Sequence, residues 1–298
     1  MQCIFCHKDS SNSKSVEHII PESLGNKHHF LPKGYVCDEC NHYFAIKIEN
    51  VLLSQPYFVS MRFRNEILTK KGRLVRQKMV FPGAMKSTDV VMQTTENGVI
   101  ASFDDDELYD AIKAGKISKM IAPYIPEPEY PNIIMSRFLA KCAYEYFLYN
   151  MDKDKYDLCV QEMLGNKNDE LKNLREYARY GKGSYWQYNQ RRIYSEGELV
   201  YNQSEKVSYE RLHEMKLFTK ESKRFPNGRI EAEIYFVLII SGIEYAICLS
   251  DPDISEYRKW LKDNNDKSPL EDEKEIVLPF GLSDVNPSLI RKDDNRIH

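Results

Sequence analysis

At 298 residues the chain is long enough for one large domain or two ordinary ones. A hydrophobic content of 42% excludes global disorder, and a net charge of −3 excludes a uniformly basic coat for nucleic acid, so any such contact must come from local patches. No apolar run reaches the ~18 residues of a membrane span, and the start lacks a charged-then-apolar leader, so the expected compartment is the cytoplasm.

The first fifty residues concentrate the chemistry. Cys3-Ile-Phe-Cys6 is followed by a polar loop at 9–15, then by Glu17-His18-Ile19-Ile20-Pro21, then by Cys37-Asp-Glu-Cys40-Asn41. Val16–Ile20 and Tyr35–Val36 read as short strands, and from Asn41 to about Leu53 Phe44, Ile48 and Val51 or Leu52 recur at helical spacing. Strand, strand, helix is the expected order.

Two Cys-x-x-Cys knuckles supply four thiolates, the donor set of a tetrahedral structural zinc. Thirty residues lie between Cys6 and Cys37, so the insert must itself be folded. A unit this small cannot rest on core burial alone, and zinc contributes on the order of 10 kcal/mol in small metal-dependent domains. Cys3 to His7 also spells a haem attachment signature, but that leaves the second knuckle unused; a thioredoxin-like pair would need a βαβ context. The remaining Cys142, Cys159 and Cys248 are expected to be buried small hydrophobes.

Beyond residue 55 the composition changes. Arg62, Arg64, Lys70, Lys71, Arg73, Arg76, Lys78 and Lys86 are opposed only by Glu66, and form the first candidate phosphate-tracking surface. Thr88–Phe103 reads as a hairpin turning at Glu96-Asn97-Gly98, and Asp106–Ile121 as a helix with its acids leading. After three prolines, 132 to about 164 reads as helical, with 169–180 a further helix ending at Gly181. Strands dominate afterwards: Tyr185–Tyr194, then Ile230–Ile240 and Tyr245–Leu249 joined at Ser241-Gly242. A short helix at Ile254–Leu261 and a strand at 276–280 close the order. Arg175, Arg179, Arg191 and Arg192, interleaved with tyrosines and Trp186, form a second candidate nucleic-acid surface.

In order, Cys3, Cys6, Glu17-His18-Ile19-Ile20-Pro21, Cys37, Cys40 and Asn41 resemble the HNH endonucleases, in the branch with two cysteine knuckles. The resemblance covers residues 1–55 and implies a ββα-metal unit, with His18 as the general base. It implies Glu17 and Asn41 as ligands of one catalytic Mg²⁺ or Mn²⁺, with Glu49 or His42 as a further ligand. Pro32 stands where relatives often carry Asn, and Ala45 cannot ligate. The expected architecture is therefore α+β: a zinc-stapled nuclease unit at 1–55, then a larger α+β domain at 56–298 with a DNA-binding, regulatory or dimerisation role. The expected activity is cleavage of DNA, double-stranded for preference, in defence against phage or foreign DNA, with a homodimer or a defence protein as partner. One alternative is an effector held inactive until its C-terminal domain senses a ligand. Another is a non-catalytic zinc-binding nucleic-acid module.

Overall fold

The computed structural model describes residues 1–150, 171–195, 198–202, 207–210, 212–224, 230–271 and 275–278. Cys159 and the expected helical stretch beyond residue 150 lie outside them. The chain is α+β, and its strands pair antiparallel throughout the described sheets. It gathers into two compact units: Met1–Ile20, His28–Phe44 and Pro131–His298 in one, Pro21–Lys27 and Ala45–Tyr130 in the other.

In the first unit, the two expected N-terminal strands are reduced to a ladder centred on one bridge, His18↔Phe30. Ile19 N–H donates to His29 O, and Leu31 N–H to Glu17 O. Tyr35 and Val36, expected as the second short strand, lie in a bend instead. Pro21 and Pro32 bound the ladder on either strand, since neither can donate a backbone hydrogen bond. Helix α1 (Asp38–Phe44) starts within the second knuckle, earlier than the apolar spacing suggests. It continues as a π turn at Ala45–Glu49 and a last helical turn, α2 (Asn50–Leu53).

The same unit contains α5 (Ile133–Tyr149), α6 (Lys172–Tyr180), a four-stranded sheet and helix α7 (Ser255–Asp263). The sheet runs in the order β4 (Tyr188–Arg192), β9 (Ile243–Cys248), β8 (Ile230–Ile240), β7 (His213–Arg224). Tyr235 and Val237 of β8 pack with Tyr257 and Leu261 of α7, whereas the Phe236 ring lies 5.6 Å from Tyr146 of α5. Alternate residues of a strand face opposite sides. Helices cover both faces, which explains why Tyr235–Ile240 is an unbroken buried run rather than an alternating one. A smaller sheet pairs β10 (Glu275–Leu278), β5 (Leu199–Asn202) and β6 (Val207–Glu210).

The second unit holds α3 (Pro56–Arg64), the sheet β1 (Gln77–Phe81), β2 (Lys86–Thr95), β3 (Gly98–Phe103) and helix α4 (Asp106–Lys113). Alternation along β1 turns Met79 and Phe81 inward onto Phe63, Val90 and Leu108. Asp105 caps α4, accepting from Leu108 N–H at 2.9 Å. The helix stops well before the expected Ile121. Gly115 takes φ 71°, and Lys116 N–H bonds back to Ala111 O, which closes it in a Schellman turn. Among the described residues no helix is long and apolar enough to cross a membrane.

Candidate metal and catalytic site

The two knuckles are brought together as their spacing suggests. The sulfurs of Cys3, Cys6, Cys37 and Cys40 all lie within 4.8 Å of one another, with Cys6 and Cys37 at 3.6 Å. A tetrahedron with ~2.3 Å metal–sulfur bonds needs sulfurs roughly 3.8 Å apart, so the set fits zinc. Backbone amides point at the sulfurs: Cys37 N–H to Cys3 Sγ at 3.3 Å, Cys40 N–H to Cys37 Sγ at 3.4 Å. The Cys40 thiol donating to Cys3, with backbone amides adding, holds Cys3 down to about 4. Cys40 is pushed up by that same bond and by burial, and Cys6 by burial to about 11. Four thiols crowded this closely match a site built for a thiolate-bound metal.

Further along the chain, α6 completes this centre. Arg179 donates from Nε to Cys40 Sγ at 3.2 Å, and its guanidinium lies 3.8 Å from the centre of the Tyr43 ring. Arg137 of α5 bonds the last carbonyls of α6, Ala178 O and Arg179 O, and also Tyr43 Oη. Hydrogen bonds of this kind orient metal ligands and temper their charge.

The Glu17–His18 segment sits against α5. Lys141 Nζ, with no exposure, pairs with Glu17 Oε1 at 2.5 Å and with Glu145 Oε2 at 3.2 Å. It also donates to His18 O at 2.9 Å and lies 3.5 Å from Ile19 O. Cys142 Sγ donates to Ile19 O, and Tyr144 Oη to Ile4 O. His18 is half-buried, with its ring 6.0 Å from that of the exposed Phe30. Asn41, one residue past the second knuckle, donates from Nδ2 to Val16 O at 3.2 Å. This bond brings its amide beside the residue that precedes Glu17. Glu17 and Asn41 carry a carboxylate and an amide carbonyl, the hard-oxygen donor types that Mg²⁺ and Mn²⁺ take. Among the described residues the four cysteines are the one group of three or more His, Cys, Asp or Glu placed to share a metal.

The other expected site residues are distributed as follows. His42 is exposed on α1, and Glu49 is buried in the π turn of the second unit. Lys70, Lys71, Arg73 and Lys78 are exposed, as is Arg64. Arg76 pairs with Asp104 at 3.0 Å, and Arg62 is buried. Arg175 and Arg179 are buried, Arg191 pairs with Glu244, and Arg192 donates to Tyr194 O and Ser241 O. Sequence reasoning missed Lys141 and Glu145. The available signal was a charged pair at i,i+4 inside the otherwise apolar run from Phe138 to Tyr149.

The sequence profile of the HNH endonucleases matches residues 3–56. This bears out the resemblance read from the knuckles and the Glu-His pair. No curated protein and no solved structure matches the chain.

Proposed function

We propose that this chain is a metal-dependent endonuclease that hydrolyses phosphodiester bonds of DNA, using the HNH segment at residues 3–56. The observation that carries the reading is the pairing of that family match with the Asn41–Val16 bond, which joins the Asn after the second knuckle to the Glu17–His18 segment.

His18 accepts the proton of the attacking water; an imidazole suits this role because its ordinary value is near ~6.5. Glu17 and Asn41 would hold a divalent cation by their oxygens, with His42 of the same unit as a further donor. Such a cation, when bound, stabilises the negative charge on the departing 3′ oxygen. The expected products carry a 5′-phosphate and a 3′-hydroxyl. The zinc held by the cysteines keeps the segment folded and takes no part in the chemistry. Exposed Lys70, Lys71, Arg73 and Lys78 serve the phosphate backbone. Residues 56–298 select the substrate or set when cleavage occurs, and host defence against foreign DNA is the proposed setting.

The test is cleavage of supercoiled plasmid with Mg²⁺ or Mn²⁺ by the parent and by His18→Ala. The variant should bind DNA and fail to cut it. Equal cutting by both would remove His18 from the mechanism, and nicked against linear product shows whether one strand or two is cut. A second reading, the ligand-gated effector, draws on the contact between α5 and the Glu17–His18 segment. A purified parent that cuts only when a ligand or partner is added would favour it.

A further inference from the structure

A buried ammonium is costly unless its donors are met. Lys141 meets them with groups of one short segment, the Glu17 carboxylate and the carbonyls of His18 and Ile19, and with Glu145 one turn along its own helix. Its side chain has no exposure, nor has that of Glu145, and that of Glu17 is 5% exposed. The ammonium also lies 5.8 Å from the centre of the Phe44 ring, on the helix that carries Asn41. The lysine is rooted in the middle of α5, which packs on α6, β8 and β9. Its position is therefore fixed by the core of the unit that also holds Glu17 and His18.

Replacing a buried ion cluster by well-packed apolar residues is often neutral or stabilising, so stability alone does not call for this lysine. We infer that Lys141 is a positioning residue for the candidate active site. It fixes the backbone of His18 and the carboxylate of Glu17 from α5, so that Glu17 is preset to receive the divalent cation, and Glu145 orients it. The inference rests on the nuclease reading for its purpose. The contact itself, however, can be tested without cleavage, because cation binding can be measured directly.

The experiment uses the full-length, zinc-loaded protein and compares the parent with Lys141→Met, Lys141→Arg and Glu145→Gln. Free Mn²⁺ is titrated by electron paramagnetic resonance, and plasmid cleavage is followed against Mn²⁺ concentration. Lys141→Met should raise the Mn²⁺ dissociation constant by about tenfold or more, as loss of a residue supporting a metal ligand does. Cleavage should fall in step, while zinc content and far-ultraviolet circular dichroism stay as in the parent. Lys141→Arg should recover part of the affinity. A Lys141→Met protein with a lower melting temperature but unchanged Mn²⁺ affinity would overturn the inference, since a purely structural lysine behaves that way. Should Lys141→Met not fold, the two conservative variants decide the matter: shifted Mn²⁺ affinity supports the inference, and parental affinity in both overturns it. A parent that binds Mn²⁺ yet cuts no DNA sinks the nuclease reading and leaves the Mn²⁺ comparison valid. A parent that binds no Mn²⁺ overturns the inference.

Discussion

Arg179 donates its Nε–H to the sulfur of Cys40 at 3.2 Å, across a sequence separation of 139 residues. A zinc held by four thiolates carries net negative charge, and a guanidinium stacked on Tyr43 is fixed where it offsets that charge. Arg179→Ala should release zinc to a chromogenic chelator with an affinity loss of about tenfold. Arg179→Lys should fall between, because it keeps the charge and loses the planar stack. Parental zinc retention in both variants would make the contact incidental.

Glu244 has no exposure and takes Arg191 through both oxygens, at 2.7 and 3.2 Å, with Tyr257 Oη on Oε1. Removing one member of such a pair leaves a buried polar group without its partner. Because Arg191 is partly exposed, Glu244→Ala should cost about 2–3 kcal/mol, below the range for fully buried pairs, as read by urea unfolding. Arg191→Ala should likewise lower stability. Lys70→Glu with Lys71→Glu should instead weaken plasmid binding and flatten its salt dependence, leaving the melting temperature unchanged. The reverse pattern would return Arg191 to the DNA surface.

The β8–β9 turn has φ 46° at Ser241 and 81° at Gly242, the two positive values that a type I′ hairpin requires. A Cβ on Gly242 would lie 2.4 Å from Tyr194 O. Gly242→Ala should therefore destabilise the fold by more than ~2 kcal/mol. Gly98→Ala provides the control: its φ is 118°, yet a Cβ there meets nothing within 4 Å, so only backbone strain applies. Similar losses at the two sites would show that the close approach to Tyr194 is not what matters.

Burial, with the neighbouring charge of His28 adding, holds His29 below the ordinary histidine value. The folded chain then keeps His29 neutral at a pH where the unfolded chain has already protonated it. Stability should be unaffected above about 6.5 and fall as pH drops from there towards the lower folded value. His29→Phe removes this share of the acid sensitivity, so its urea midpoint should change less than the parent's between pH 7.5 and 5.5. An equal change in both proteins would assign the acid sensitivity to other groups.

The legible parts of the site are those whose partners are near in sequence or fixed by chemistry. A Cys-x-x-Cys turn declares its purpose by itself, and two of them suffice to foresee the sulfur cluster. The hairpin at Glu96-Asn97 and the β8–β9 turn were readable for the same local reason. The first ladder was not, because the pairing of His18 with Phe30 depends on two prolines that limit strands rather than form them. Arginines read as one basic face turned out to have separate duties, since spacing cannot distinguish Arg191 on Glu244 from a solvated neighbour. Lys141 left a local trace in its i,i+4 pair with Glu145, but its link to Glu17 and His18 was not legible because they lie over a hundred residues upstream.

That separation has a consequence in time. The polypeptide is made from its N-terminus, so the knuckles, Glu17 and His18 emerge before α5. Between them and α5 lie residues 45–130, which belong to the other unit. A nascent chain that stops before α5 has the sulfurs and the histidine but not Lys141, Cys142 or Tyr144 to hold them. Truncated products of interrupted synthesis would thus carry the motif without its support, and only a ribosome that has passed α5 releases a chain able to assemble the site.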